Sequence, residues 1–444
     1  MSFPPDTQTM KTISELYEAF RHSAGVSTDT RTIAPGSLFV ALRGANFDAN
    51  TMVGHALELG AAYVVTTDKS FANDPRAYVT DDTLTALQEL ARERRRHLAI
   101  PVIGITGTNG KTTTKELTTA VLSKKFKTVA TKGNLNNHIG VPLTILSIPD
   151  DAEMAVVEMG ASHPGEIAAL VTISQPTAGL VTNVGIGHIE GFGSFEGVKR
   201  TKAELYDYLR RTGGTVFIDP DNKDLAQMLG EYANTVPYVQ GCVEDGAAET
   251  LDMRWSAGGD WHHVTTHLLG KYNLPNALAA ATVGHHFGVA DSDVTEAIGQ
   301  YEPTNGRSQI VQTSRNRLVV DAYNANPQSV TAALEILAKT DCAQRVAALG
   351  DMGELGDLTA QAHYNMGALA VMLGIDRVIA IGTHAAKIAE GVDCSGGEAL
   401  HFATKEEALP TIRAQLTPQT AMLIKASHAM RFGQLVEALQ ASYD

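Results

Sequence analysis

The chain is poor in cysteine: Cys242, Cys342 and Cys394 are the three in 444 residues, far apart and never in C-x-x-C spacing. That excludes a disulfide framework and a structural zinc site, and it suits a reducing cytoplasm. No apolar run approaches the ~18 residues of a membrane span, and the first 20 residues alternate polar and apolar without the core of a secretory leader. Positive charge is also in deficit, with 35 Lys+Arg against 49 Asp+Glu and a formal net charge of −14. General nucleic-acid binding is therefore excluded, and an anionic ligand must be held by local cations and helix ends. No solenoid-period repeat or low-complexity tract interrupts the chain.

What is present centres on Pro101-Val-Ile-Gly-Ile-Thr-Gly-Thr-Asn-Gly-Lys-Thr-Thr-Thr-Lys-Glu116, an apolar run that breaks into a glycine-rich turn and continues as a polar helix start. Gly107, Thr108, Asn109 and Gly110 form the turn, and Lys111 opens a helix to about Lys124. A strand, a tight turn and a helix N-terminus make a phosphate cradle, because the first amides of the helix are unpaired and its dipole is positive there. Lys111 suits the β/γ oxygens of a triphosphate, and the Thr112 hydroxyl, followed by Thr113, suits a magnesium ion. The spacing is G-x-x-G-K-T, with Ile105 where the longer G-x-x-x-x-G-K-[ST] pattern requires glycine.

The chain divides into three α/β stretches. Residues 1–98 read as a small unit ending in a helix with Arg92, Arg94, Arg95 and Arg96, a basic run expected to be a solvated face. Residues 99–306 alternate strand, turn and helix, with strands at 101–106, 128–131, 154–159, 178–183 and 215–219, so a parallel sheet covered by helices on both faces is predicted. The segment 250–267 looks like an antiparallel side hairpin. Residues 307–444 repeat the alternation, with strands at 317–321, 345–349, 377–381 and 421–425, as in a Rossmann-like domain.

In such sheets ligands gather at the carboxyl ends of the strands, and the polar residues there follow suit. Glu158 ends an apolar strand, where a magnesium ligand belongs, and His188 closes the glycine-bearing segment 182–188, where a second metal site would be. Asn134, Asn136 and Asn137 crowd one loop and suit hydrogen bonding to a polar substrate, although asparagine is also common in turns. Asn273 and Asn276 suit either a purine edge or a helix cap. Asp321 ends the first C-terminal strand, where an acid suits a ribose hydroxyl or a metal-water shell. The acids of Gly350-Asp-Met-Gly-Glu-Leu-Gly356 suit an ammonium group, and Lys425 and Ser427 end the last strand. By pattern alone Lys202 is a solvated helix lysine.

Taken in order, Gly107-Thr-Asn-Gly-Lys-Thr112, Glu158, the segment 183–188, the Asn273/Asn276 pair, Arg307 and Asp321 resemble the Mur ligases, ATP-dependent amide-forming enzymes of peptidoglycan precursor synthesis, nearly end to end. Asp29-Thr-Arg31 with Gly36-Ser-Leu-Phe-Val-Ala-Leu42, Gly133-Asn-Leu-Asn-Asn137, Asp321-Ala-Tyr-Asn-Ala-Asn-Pro327 and the 350–356 loop look like the branch that joins D-alanyl-D-alanine to UDP-N-acetylmuramoyl-tripeptide. The Asp-Asn-Pro-Arg motif of the diaminopimelate-adding branch is absent, and Lys425-Ala-Ser-His428 departs from the expected Lys-Gly-Ser-Arg.

The resemblance implies three domains, gripping UDP, ATP and, by closure of the third, both. It implies ATP contacts from Gly107, Thr108, Asn109, Gly110, Lys111, Thr112, Thr113, Asn273, Asn276, Arg307 and Asp321. Substrate contacts follow from Asp29, Arg31, Gly44, Asn134, Asn136, Asn137, Asn324, Asn326, Lys425 and Ser427. Lys111, Glu158, His188 and Lys202 become the catalytic set. Two Mg²⁺ are expected on Thr112, Glu158, His188 and a Lys202 carbamylated by CO₂. The expected protein is a cytoplasmic monomer with small-molecule substrates and no nucleic-acid or membrane partner. A folylpolyglutamate synthase-like ligase, another Mur-type ligase, or a non-ligase P-loop nucleotidase stand as alternatives.

Overall fold

The computed structural model describes residues 12–244, 250–303, 309–312 and 316–440. Four strands, β1 (Val26–Ser27), β2 (Leu38–Val40), β3 (Tyr63–Thr66) and β4 (Ala77–Val79), form a parallel sheet in sequential order. The helix Thr83–Arg96 follows, capped by Asp82, whose carboxylate accepts from the amides of Leu84 and Thr85.

The central sheet holds β5 (Val102–Thr106), β6 (Thr128–Ala130), β7 (Met154–Glu158), β8 (Ala178–Val181), β9 (Thr215–Ile218) and β10 (Thr235–Pro237) in the order β10-β9-β8-β5-β7-β6. Every pairing is parallel. Residues of β5, β7 and β8 are buried without exception, as expected where helices cover both faces. The side hairpin is present as β12 (Thr250–Ser256) and β13 (His262–Leu269), with β11 (Gln240–Val243) added as a third antiparallel strand.

The C-terminal sheet comprises β14 (Gln309–Gln312), β15 (Arg317–Val320), β16 (Gln344–Gly350), β17 (Arg377–Ile381), β18 (Ala399–Phe402) and β19 (Thr420–Lys425), ordered β14-β15-β19-β16-β17-β18. Only β14, on the edge, pairs antiparallel.

The basic run of the helix Thr83–Arg96 is not a simple solvated face. Arg94 and Arg95 are buried at 6% and 7% exposure. Arg95 donates to the carbonyls of Ser174, Leu98 and Gln175 at 2.9, 2.6 and 3.0 Å, and Arg94 to that of Ile148 at 2.6 Å. Arg96 does behave as a surface cation, pairing with Glu93 on its own helix, whereas the half-buried Arg92 pairs with Glu89 and also donates to Thr172 Oγ1 at 3.1 Å. One apolar cluster runs through this joint, with Leu87 and Leu90 on one side and Val141, Ile145 and Ile167 on the other. The N-terminal unit is thus fastened to the central sheet by burial and by charged hydrogen bonds together.

Candidate active site

A cleft of about 780 Å³ opens where the carboxyl ends of the central and C-terminal strands face each other. Its floor is the turn after β5. Gly107 and Gly110 have φ of 146° and 77°. A Cβ on Gly107 would lie 1.9 Å from Thr182 Oγ1, and one on Gly110 2.6 Å from Asn276 Oδ1. Both glycines are therefore required by conformation and by space.

The turn is held from three directions. Asn183 Oδ1 accepts from the amide of Asn109 at 3.0 Å, and Thr182 Oγ1 donates to the Asn109 carbonyl at 2.6 Å. Asn276 accepts from Thr114 Oγ1 at 3.1 Å and donates to Asn273 Oδ1 at 2.8 Å, while Asn273 donates to the Leu269 carbonyl at 2.8 Å. Of the two readings open for this pair, the side-chain cap is not made on the helix Leu274–His286, and both asparagines line the cleft while bracing the turn. From the C-terminal domain, Asn326 Nδ2 donates to Asn109 Oδ1 at 2.7 Å and Asn109 Nδ2 donates to Gln328 Oε1 at 3.0 Å. Asn326 also caps the helix Pro327–Lys339.

Thr112 and Glu158 meet as the sequence spacing anticipates. The Thr112 hydroxyl donates to Glu158 Oε2 at 2.9 Å, and Asn136 Nδ2 donates to Oε1 at 2.8 Å. Glu158 is 1% exposed, so this carboxylate is buried with only neutral hydrogen-bond donors, an arrangement that fits a hard divalent cation. Lys111 folds its ammonium onto the carbonyls of Gly107 and Thr108, at 2.8 and 2.9 Å, at the mouth of the cradle. Lys115, one turn on, is buried and donates to the Thr131 carbonyl at 2.9 Å, while the Thr131 hydroxyl accepts from the Glu158 amide at 3.0 Å.

Lys202 is far from solvated. It is 2% exposed on the helix Phe195–Thr212, its ammonium 3.4 Å from the Ala161 carbonyl and 5.3 Å from the centre of the Phe192 ring. Burial, with the charge of Lys111 adding to it, pulls its pKa down to about 7. The helix pattern carried a signal for this, since Lys202 shares a face with Val198, Leu205 and Leu209, although the groups around its ammonium come from other elements.

His188 lines the cleft, with its Nδ1 against the Glu354 carboxylate from the loop after β16. The hydrogen bond to His188 holds Glu354 below the usual carboxylate range. Lys425 is buried and bonded to Asp321, so residues expected to serve different ligands are partners. Asn134 and Asn137 line the cleft, although the Asn137 side-chain Oδ1 accepts from the amides of Ile139 and Gly140. Asn324, His428 and Tyr323 line its C-terminal wall, and Ser427 lies beside them in sequence, 8% exposed.

Asp29 and Arg31 do not line the cleft. They form an exposed pair on the N-terminal unit, and Gly44 sits in a nearby turn whose amide donates to the Phe47 carbonyl at 2.8 Å. Arg307 falls outside the described residues. Sequence reasoning passed over Gln328 and Asn183; no spacing signal marks Gln328, whereas Asn183 belongs to a segment already singled out.

Comparison with known proteins points one way. Residues 105–284 match the Mur ligase middle domain, and residues 306–428 match the Mur ligase, glutamate ligase domain. The UDP-N-acetylmuramoyl-tripeptide--D-alanyl-D-alanine ligase of Bacillus subtilis is 35% identical over 424 residues, covering 94% of this chain and 93% of that protein. The crystal structure of MurF from Acinetobacter baumannii superposes with a TM-score of 0.85 at 28% identity, covering 97% of this chain and 98% of the other. MurF ligase from Thermotoga maritima, in complex with ADP, gives 0.84 at 26% identity, covering 96% and 99%.

Proposed function

This chain belongs to the Mur ligase family, and we propose that it joins D-alanyl-D-alanine to UDP-N-acetylmuramoyl-tripeptide at the expense of ATP. The observation that carries this reading is the end-to-end similarity to ligases of that name, set on a phosphate turn followed by Thr112, which bonds to Glu158 in the wall of a cleft shared by two sheets. The same breadth favours this ligase over the folylpolyglutamate synthase-like and P-loop nucleotidase alternatives.

In this reading residues 1–98 hold the UDP moiety, residues 99–306 hold ATP, and residues 307–444 close over both. The terminal carboxylate of the tripeptide attacks the γ-phosphorus of ATP, ADP leaves, and an acyl phosphate forms. The amine of D-alanyl-D-alanine then attacks the acyl carbon, loses a proton, and phosphate departs from the tetrahedral intermediate. Lys111 and the turn and helix start formed by Gly107, Thr108, Asn109, Gly110, Thr112 and Thr113 position the triphosphate, with the amides of Thr108 and Asn109 engaged by Asn183 to hold the turn's shape. Asn273 and Asn276 act through the turn they brace, and Asp321, with Arg307, is assigned to the ribose side. Asn134, Asn136, Asn137, Asn324, Asn326, Lys425 and Ser427 are assigned to the tripeptide and dipeptide, and Asp29, Arg31 and Gly44 to the UDP end on the N-terminal unit.

Two magnesium ions, when bound, supply positive charge to the transferring phosphoryl group; Thr112, Glu158, His188 and Lys202 would hold them. Lys202 fits that set as a carbamate, since a buried amine with pKa near 7 is neutral enough to react with CO₂ and would become a carboxylate. We place the protein in the cytoplasm as a monomer; no described helix is long and apolar enough to cross a membrane.

Purified protein with ATP and Mg²⁺ is expected to release phosphate only when both UDP-N-acetylmuramoyl-tripeptide and D-alanyl-D-alanine are present. Glu158→Gln is expected to lower that rate by roughly 10²-fold or more. Phosphate release with a folate and glutamate instead would move the assignment to the folylpolyglutamate synthase branch.

A further inference from the structure

His188 and Glu354 reach each other from different domains. His188 follows β8 and precedes the short helix Ile189–Phe192, whereas Glu354 lies in the loop after β16. Beside the side-chain pair, the amide of Glu190 donates to the Glu354 carbonyl at 3.3 Å, so backbone and side chain are joined at one point. Both residues also hold a backbone conformation that side chains rarely adopt, with φ of 53° at His188 and 60° at Glu354. Non-glycine residues keep such angles where the surroundings over-determine them, and sites of that kind cluster at functional places. Two of them in mutual contact across a domain boundary call for a function.

The chemistry of imidazole supplies one. A neutral ring has one nitrogen that donates and one that accepts, and a partner on the first fixes the tautomer of the second. Glu354 Oε2 lies against Nδ1, the ring nitrogen that is buried, and among the described residues no other side chain is paired with it. Magnesium prefers oxygen ligands, so an imidazole serving it gains most from being set in tautomer and orientation beforehand.

We propose that Glu354 is a positioning residue delivered by the C-terminal domain. By accepting the Nδ1 proton of His188 it leaves the Nε2 lone pair as the metal donor, so the metal site is completed only when the third domain docks. This rests on the reading of His188 as a metal ligand made above. It adds that the ligand becomes competent through a residue of the next domain along the chain, which links closure to readiness for phosphoryl transfer.

The test uses the full-length protein labelled with ¹⁵N-histidine, as wild type, Glu354→Gln and Glu354→Ala, with matching thermal melts showing that each variant folds. Ring ¹⁵N shifts report the tautomer of His188 without any metal, and Mn²⁺ affinity in the presence of ADP, followed by electron paramagnetic resonance, reports the site. Wild type and Glu354→Gln, whose amide oxygen still accepts, are expected to keep the proton on Nδ1. Glu354→Ala is expected to lose that preference and to bind Mn²⁺ about 10- to 100-fold more weakly. An Ala variant unchanged in both readouts overturns the proposal, and so does a Gln variant that falls as far as Ala, since charge and not the tautomer would then be at work. Because neither readout needs turnover, failure of the two-substrate assay would strike the ligase reading alone.

Discussion

Lys425 and Asp321 are bonded to each other at the ends of neighbouring strands of the C-terminal sheet. Val320 pairs with Ile424, so the two residues are the next step of the same parallel ladder. The Lys425 side chain is 1% exposed and also donates to the Asn324 carbonyl at 2.9 Å. Each partner therefore orders the loop that the other begins, residues 321–326 on one side and 426–428 on the other. Lys425→Met strands the Asp321 carboxylate and is expected to cost about 3 kcal/mol of stability in urea unfolding, with part recovered when Asp321→Asn is added. A single variant within 1 kcal/mol of wild type, on the scale of ordinary surface changes, would show that the pair does not hold these loops.

Arg95 gives a second, independent test. Its guanidinium serves four carbonyls, those of Leu98, Ile100, Ser174 and Gln175. Arg95→Met keeps the apolar stem but leaves these acceptors without their donor, and a loss of about 2–4 kcal/mol is expected. Arg96→Met, one residue on, removes an exposed pair with Glu93 and is expected to change stability by no more than about 0.5 kcal/mol. Equal effects of the two substitutions would contradict the joint described here.

Lys202 predicts an unusual dependence of rate on bicarbonate. The amine is neutral above its pKa of about 7 and protonated below it, and only the neutral form adds CO₂. Stripping CO₂ and bicarbonate is expected to lower activity, and the concentration needed to restore it should rise as the pH falls from 8 to 6. A rate indifferent to bicarbonate at both pH values would remove the carbamate from the proposed site.

The strand-turn-helix of residues 101–116 was legible because three local signals agree: an apolar run, glycines where the chain must turn sharply, and a polar helix start. The placing of Glu158 at a strand end was legible for the same reason. Misreadings arose where the deciding partner lies far along the chain. Arg94 and Arg95 look solvated in a run of charges, and only the approach of carbonyls 54 to 80 residues later makes them buried. Lys202 sits on an amphipathic helix, yet Phe192 and Ala161 enclose its ammonium. Local pattern reports which residues are polar at a strand end; it does not report whom they meet.

The arginine joint also bears on how the chain comes into being at the ribosome. The helix Thr83–Arg96 and β5 are synthesised early, but the carbonyls of Ser174 and Gln175 and the strand β8, which flanks β5, arrive some 70 to 80 residues afterwards. Until then Arg95 has no buried acceptors beyond its own helix end, and the strand that carries the phosphate turn has an open edge. The arginine joint and the β7-β5-β8 centre of the central sheet are therefore expected to form together once residue 181 has emerged, with β9, β10 and the helix Leu274–His286 added afterwards. A nascent chain halted before that point would be open to proteases between the helix Thr83–Arg96 and residue 175, and one halted just beyond it would be better protected there.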